Sequence, residues 1–267
     1  MSKTNKFSEA FVKSKNITVD ALTLIEMENG DIPKEYDLKN DLYCPECHEP
    51  LLSIINRMSG KYLRRSLRTG NPKHHNCSYE LHVATHQEVK RYVEEKNRGE
   101  ISQDLVQLLL KDNAIRIRDV HANDVIRKTN NRLVYTAKDA NDHERKRIAQ
   151  QKLNNLFIKN LETGVNKYYY GRVQLTNRRE NVDFVNYTVK SVEKSRLFSM
   201  GIPKYCENLI DEIDAIFGDK KLVVVDLAIF SEIKVKEGMI KNHKVVYRDA
   251  TIQNESYCLV KKVIGVN

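Results

Sequence analysis

The sequence predicts an α+β protein in three parts. These are a small β-rich module over residues 1–80, a helical arm with a basic linker over 81–160, and a barrel-like β domain with one helix over 161–267. Three observations carry that reading. Cys44-Pro45-Glu46-Cys47 is answered, after 26 intervening residues, by His74-His75-Asn76-Cys77. Two stretches of helical periodicity follow. The remaining chain then runs strand, strand, strand, helix, strand, strand. A length of 267 residues suits one large or two small domains.

Residues 17–28 are rich in β-formers, and Asn29-Gly30-Asp31 is a turn signal, so a hairpin is expected to lead into the first cysteine pair. Residues 33–40 read as a loop and 51–55 as a strand leaving the pair. Between Pro50 and Tyr79 there is no acidic residue, while Arg57, Lys61, Arg64, Arg65, Arg68 and Lys73 are all present. Residues 61–68 form a basic strand or short helix, and Thr69-Gly70-Asn71-Pro72 a turn.

Two half-sites with two soft or borderline ligands each are what tetrahedral zinc requires. The ligand set is Cys44, Cys47, His74 and Cys77, with His75 as the alternative to His74 because HxC spacing also serves. His48 is disfavoured by its adjacency to Cys47. A redox dithiol would need a strand–helix junction in a βαβ unit, which the pattern lacks. Four protein ligands leave no open coordination position, so the expected cofactor is structural Zn2+, bound by deprotonated thiols and coupled to folding. His82 and His86, four apart, read as helix surface.

These residues also carry a resemblance. Tyr43-Cys44-Pro45-Glu46-Cys47, the basic segment after it, and His74 with Cys77-Ser78-Tyr79 resemble the N-terminal zinc-finger-like module of competence protein CoiA-like proteins and of uncharacterised bacterial and mobile-element proteins. The resemblance covers about residues 17–80 and implies a zinc module rather than an activity. His48 stands where such knuckles usually carry Gly, and the nuclease domain that the resemblance to CoiA-like proteins implies is not evident in the residues that follow.

The arm is expected to be helical over 79–96, stopped by Gly99, with Ser102 capping a second helix whose apolar face is Leu105, Leu108 and Leu109. Residues 114–150 read as an exposed basic connection, with Val134-Tyr135 as a short strand.

In the C-terminal part, strands are expected over 167–175, 182–189 and 195–200, with a polar turn at 176–181. Pro203 opens a helix that Gly218 ends, and strands follow over 220–235, 244–251 and 257–264. This order is similar to an OB-fold, a five-stranded barrel whose helix lies between the third and fourth strands. Such barrels bind single strands with a basic groove and stacking aromatics. The candidates are Tyr168, Tyr170, Phe184, Tyr187 and Phe198 for stacking and Arg172, Arg178 and Arg179 for phosphates, with core packing the alternative for each aromatic.

The charge agrees with such a partner. A formal +9 and a pI near 9.1 attract polyanions, nucleic acid before anionic membrane. No apolar run approaches the roughly 20 residues of a membrane-spanning helix, and the basic residues 1–7 have no apolar stretch behind them. A cytoplasmic location without a membrane partner is expected, and five cysteines with CxxC spacing there suit metal chemistry rather than a disulfide framework.

The expected function is therefore non-catalytic nucleic-acid binding, single-stranded DNA or RNA, with Arg57, Arg64, Arg65, Arg68 and Lys73 adding contacts. The alternatives are a protein-interaction or adaptor module in phage defence or mobile-element biology, and a metal-dependent nuclease. The nuclease rests on Asp226, Glu232 and Lys234, but six residues of strand hold Asp226 and Glu232 roughly 20 Å apart. Asp183 or Asp211 would have to substitute.

Overall fold

The computed structural model describes residues 6–58, 60–74, 77–81, 83–95, 98–118, 134–139, 142–154, 161, 163–240 and 243–263. They group into two compact units, residues 1–84 with 112–148, and residues 85–111 with 149–267. The expected arm is thus divided: its first helix and most of its second group with the C-terminal part.

In the first unit, β1 (Glu9–Val12), β2 (Ile17–Asp20) and β3 (Leu42–Tyr43) form a sheet in the order β2-β1-β3. The expected hairpin through residue 28 is replaced by a strand and a helix, α1 (Ala21–Asn29). Asp20 makes the switch, because its carboxylate accepts the Leu22 N–H at 2.8 Å and so satisfies a free donor of the first turn. Ala21, Leu24 and Ile25 then fall on one buried face, and Gly30, at φ 85°, closes the helix. β4 (Leu52–Arg57) and β5 (Gly60–Arg65) pair antiparallel, so the basic block is a strand as far as Arg65. Leu24, Leu42, Leu52, Leu63 and Cys44 share one core with Phe7 and Tyr79.

The expected basic connection carries a hairpin, β6 (Val134–Asp139) with β7 (Asp142–Arg147). The Arg147 guanidinium lies 4.3 Å over the Tyr79 ring, and its carbonyl accepts the Ala84 N–H at 2.9 Å. This ties the hairpin to the chain that follows the second half-site.

In the second unit, α2 (His86–Glu95) starts later than its periodicity suggested. Thr85 and Glu88 form a reciprocal cap in which the Glu88 carboxylate accepts the Thr85 N–H at 2.7 Å and Thr85 Oγ1 accepts the Glu88 N–H at 3.4 Å. α3 (Arg98–Arg118) begins before Ser102, which is inside the helix rather than its cap; Gly99 sits in its first turn.

The strands of this unit are β8 (Gln150–Lys152), β9 (Asn166–Glu180), β10 (Phe184–Ser191), β11 (Arg196–Pro203), β12 (Leu222–Ile240), β13 (His243–Thr251) and β14 (Cys258–Lys262); α4 (Glu207–Phe217) lies between β11 and β12. β9 pairs β10, β10 pairs β11, β11 runs parallel to β13, β13 pairs β12, and β12 returns to β9. Five strands therefore close a ring, with β8 beside β9 and β14 beside β12.

One long strand lets the ring close. The first part of β9 pairs β12 on one side and, through Tyr170, β8 on the other; its last residues pair only β10, and Gly171, just after the β8 pairing, sits at φ 150°. A Cβ there would sit 3.2 Å from the Leu153 carbonyl oxygen. The expected polar turn at 176–181 therefore belongs to β9, through Glu180. Pro203 ends β11 instead of opening α4, and Gly218 closes α4 as expected. Alternation on β10 and β12 fills the interior with Val185, Tyr187, Val189, Val225, Leu227 and Ile229, onto which α4 packs Leu209, Ile213 and Phe217.

Candidate metal centre and basic surface

Cys44, Cys47, His74 and Cys77 place their ligand atoms within 4.8 Å of one another. The Cys44 N–H donates to the Pro50 carbonyl at 3.0 Å, and the His48 N–H to the Cys44 carbonyl at 3.1 Å, folding the first knuckle. His48 sits at φ 57°, in the left-handed region that explains why Gly suits this position. Its ring lies parallel to Phe11 with centroids 3.6 Å apart. His74 Nδ1 lies 3.6 Å from Cys47 Sγ and 3.5 Å from Cys77 Sγ. A tetrahedral ion with standard Zn–S and Zn–N bonds makes an S···N edge of about 3.6 Å. The donor set and spacing therefore fit a metal ion held by four protein ligands. His75 and His82 lie outside the described residues.

The Cys44 and Cys77 thiols share a hydrogen bond. That bond holds the Cys77 thiol below its ordinary range and, with burial, pushes Cys44 above it. The other two cysteines, Cys206 and Cys258, are buried in the ring core, where burial raises both thiols.

The candidate nucleic-acid residues separate into exposed and committed groups. Arg57, Arg68 and Lys73 are exposed, and Arg68 donates to Asn40 Oδ1 at 2.7 Å. Arg65 binds the carbonyls of Asn71 and Pro72 at 2.6 and 3.0 Å, while Asn71 bonds Leu51 and Ser66. The loop is therefore held in one shape and Arg65 is part of its frame. Arg64 is buried on β5.

In the ring, Tyr168, Tyr170, Tyr187 and Phe198 are at most 2% exposed, which corrects the expectation of stacking for these four. Their positions alternate into the packed interior or under α2 and α3. Tyr168 and Tyr92 both donate to Asp104 Oδ2, at 2.8 and 2.9 Å, and Tyr187 donates to Asp214 at 2.9 Å. Phe184 is half-buried. Arg172 forms a fork with Asp226, and Arg178 binds Asp214 and Glu180, whereas Arg179 is exposed. Asp226 is thus committed to Arg172. Among the described residues, Asp226 and Glu232 join no group of three that could hold a metal.

Two features escaped the sequence reading. The outward row of β10, Phe184, Asn186, Thr188 and Lys190, stands opposite Pro203, Gly201, Ser199 and Arg196 of β11; strict alternation around Val185, Tyr187 and Val189 is its signal. Glu46 bonds Ser78 across the metal centre, and no local pattern announces that contact.

No protein-family model, curated protein or solved structure matches this chain. No described helix is long and apolar enough to cross a membrane.

Proposed function

We propose that this is a zinc-stabilised, non-catalytic protein that binds single-stranded nucleic acid through an OB-fold. The ring order carries the proposal. Its first strand pairs its second and fourth, its third and fifth are parallel, and its helix lies between third and fourth. OB-folds bind oligonucleotides on the face of their second and third strands. Here that face is β10–β11, with half-buried Phe184, polar Asn186, Thr188 and Ser199, and the cations Lys190 and Arg196. Arg179, and Arg57, Arg68 and Lys73 of the first unit, add exposed positive charge. The Cys3His set holds zinc as scaffold, because all four positions are filled by protein.

Fluorescence anisotropy with labelled single- and double-stranded DNA and RNA tests this. Single-strand affinity is expected to fall with salt, by a log–log slope of about 0.7 per phosphate neutralised. Absence of salt-dependent binding to every probe refutes it.

A second reading, a protein-interaction module, is favoured by Val235, Met239 and Val246. These exposed apolar residues share a face of the ribbon in which β12 pairs only β13. Under that reading a partner is recovered by pull-down and resists nuclease treatment.

A further inference from the structure

We propose that Glu46 is the positioning residue that locks the two halves of the metal centre together, an inference that rests on the zinc reading above. The ligands arrive from two turns separated by 26 residues of chain. Each turn has bonds of its own: Cys44 to Pro50 and His48 in the first, and Glu80 N–H to the Cys77 carbonyl at 3.2 Å in the second. None of these bonds fixes one turn against the other. Glu46 reaches across. Its Oε2 accepts the Ser78 N–H at 2.8 Å, and its Oε1 accepts the Ser78 hydroxyl at 2.8 Å. Ser78 directly follows the ligand Cys77, and Glu46 directly precedes the ligand Cys47. The two-point contact therefore sets the separation and orientation of the two half-sites and opposes their parting.

The chemistry favours a geometric over an electrostatic role. Three thiolates around a dication sum to a charge of about −1, so a nearby carboxylate does not help zinc bind by charge. What it supplies is a pair of acceptors at fixed spacing. Glutamine at this position keeps one acceptor for the Ser78 N–H and can donate to the Ser78 hydroxyl. Alanine keeps neither contact.

The test uses the full-length zinc-loaded protein, mixed with an excess of chromophoric chelator, with zinc release followed in time and affinity measured by competition. Glu46→Ala is expected to release zinc about 10- to 100-fold faster and to bind it correspondingly more weakly. Glu46→Gln is expected to remain within about threefold of the parent, since its hydrogen bonds survive. Cobalt substitution adds a spectroscopic check, with a shifted d–d envelope for the alanine variant and a parental one for glutamine. Should Glu46→Ala fail to fold, Ser78→Ala removes only the hydroxyl bond and is expected to release zinc about 3- to 10-fold faster. Parental release from the alanine variants, or equally fast release from Glu46→Gln and Glu46→Ala, overturns the proposal. A parent protein that takes up no zinc overturns the zinc reading, and this inference with it.

Discussion

Arg172 separates a structural cation from a ligand-binding one. It sits on β9 directly opposite Asp226 on β12, in the pairing that closes the ring. Its Nε and Nη2 reach the two carboxylate oxygens at 2.9 and 3.2 Å. Losing one partner of a fully buried pair costs roughly 3–5 kcal/mol. Asp226 retains 7% side-chain exposure but Arg172 retains 31%, so water screens part of the interaction and about 2–3 kcal/mol is expected for Arg172→Ala. Arg172→Lys loses the fork but keeps the charge, for about 1 kcal/mol. The pair Arg172→Met with Asp226→Leu, which removes both charges, should return to within about 1 kcal/mol of the parent. Urea unfolding followed by tyrosine fluorescence measures all three, since the chain has 13 Tyr and no Trp. The salt slope of oligonucleotide binding should not change. Parental stability in Arg172→Ala together with a slope reduced by about 0.7 would show that the side chain serves phosphate instead.

Zinc removal by a strong chelator is expected to unfold the N-terminal core. A module of this size rarely supplies more than about 3–5 kcal/mol from packing, against roughly 10–16 kcal/mol from structural zinc. Unchanged proteolytic resistance of residues 6–81 after chelation refutes this. Gly171→Val should cost about 2–5 kcal/mol, because its φ of 150° and the Leu153 backbone 3.2 Å from the added Cβ both oppose a side chain; a loss under about 0.5 kcal/mol in urea unfolding would show that β9 accepts a side chain there. Burial, reinforced by the Asp104 charge, holds the Tyr92 and Tyr168 hydroxyls well above the usual tyrosine range, so both stay donors. Asp104→Ala should then cost about 3–5 kcal/mol and Asp104→Asn about 1–2, measured the same way, with equal losses for the two variants refuting the charge-assisted account.

The metal centre was legible because its chemistry is local. Thiols two residues apart share one turn, and an HxxC pair supplies the two further donors of a candidate tetrahedral site. The ring was legible as an order of strands, because alternation at Val185, Tyr187 and Val189 and the helical spacing of Leu209, Ile213 and Phe217 are backbone periodicities. Helix starts were misplaced where a single side chain decides them: Asp20 turned a β-former run into α1, and the Thr85–Glu88 cap delayed α2.

Sequence by itself determined the three cysteines of the candidate metal group, the α+β class and the basic charge, since each follows from residue type and spacing along the chain; His74 rather than His75 beside them is what the structure adds. Tertiary structure decided what cations and aromatics are for. Arg172 and Arg178 became ion-pair partners only because Asp226 and Asp214, 54 and 36 residues away, were brought beside them. Tyr168 and Tyr187 became core residues whose hydroxyls meet carboxylates from distant segments, buried Asp104 and half-buried Asp214. The closure of the ring and the reach of Glu46 to Ser78 likewise depend on which distant segments become neighbours, and spacing along the chain does not encode that.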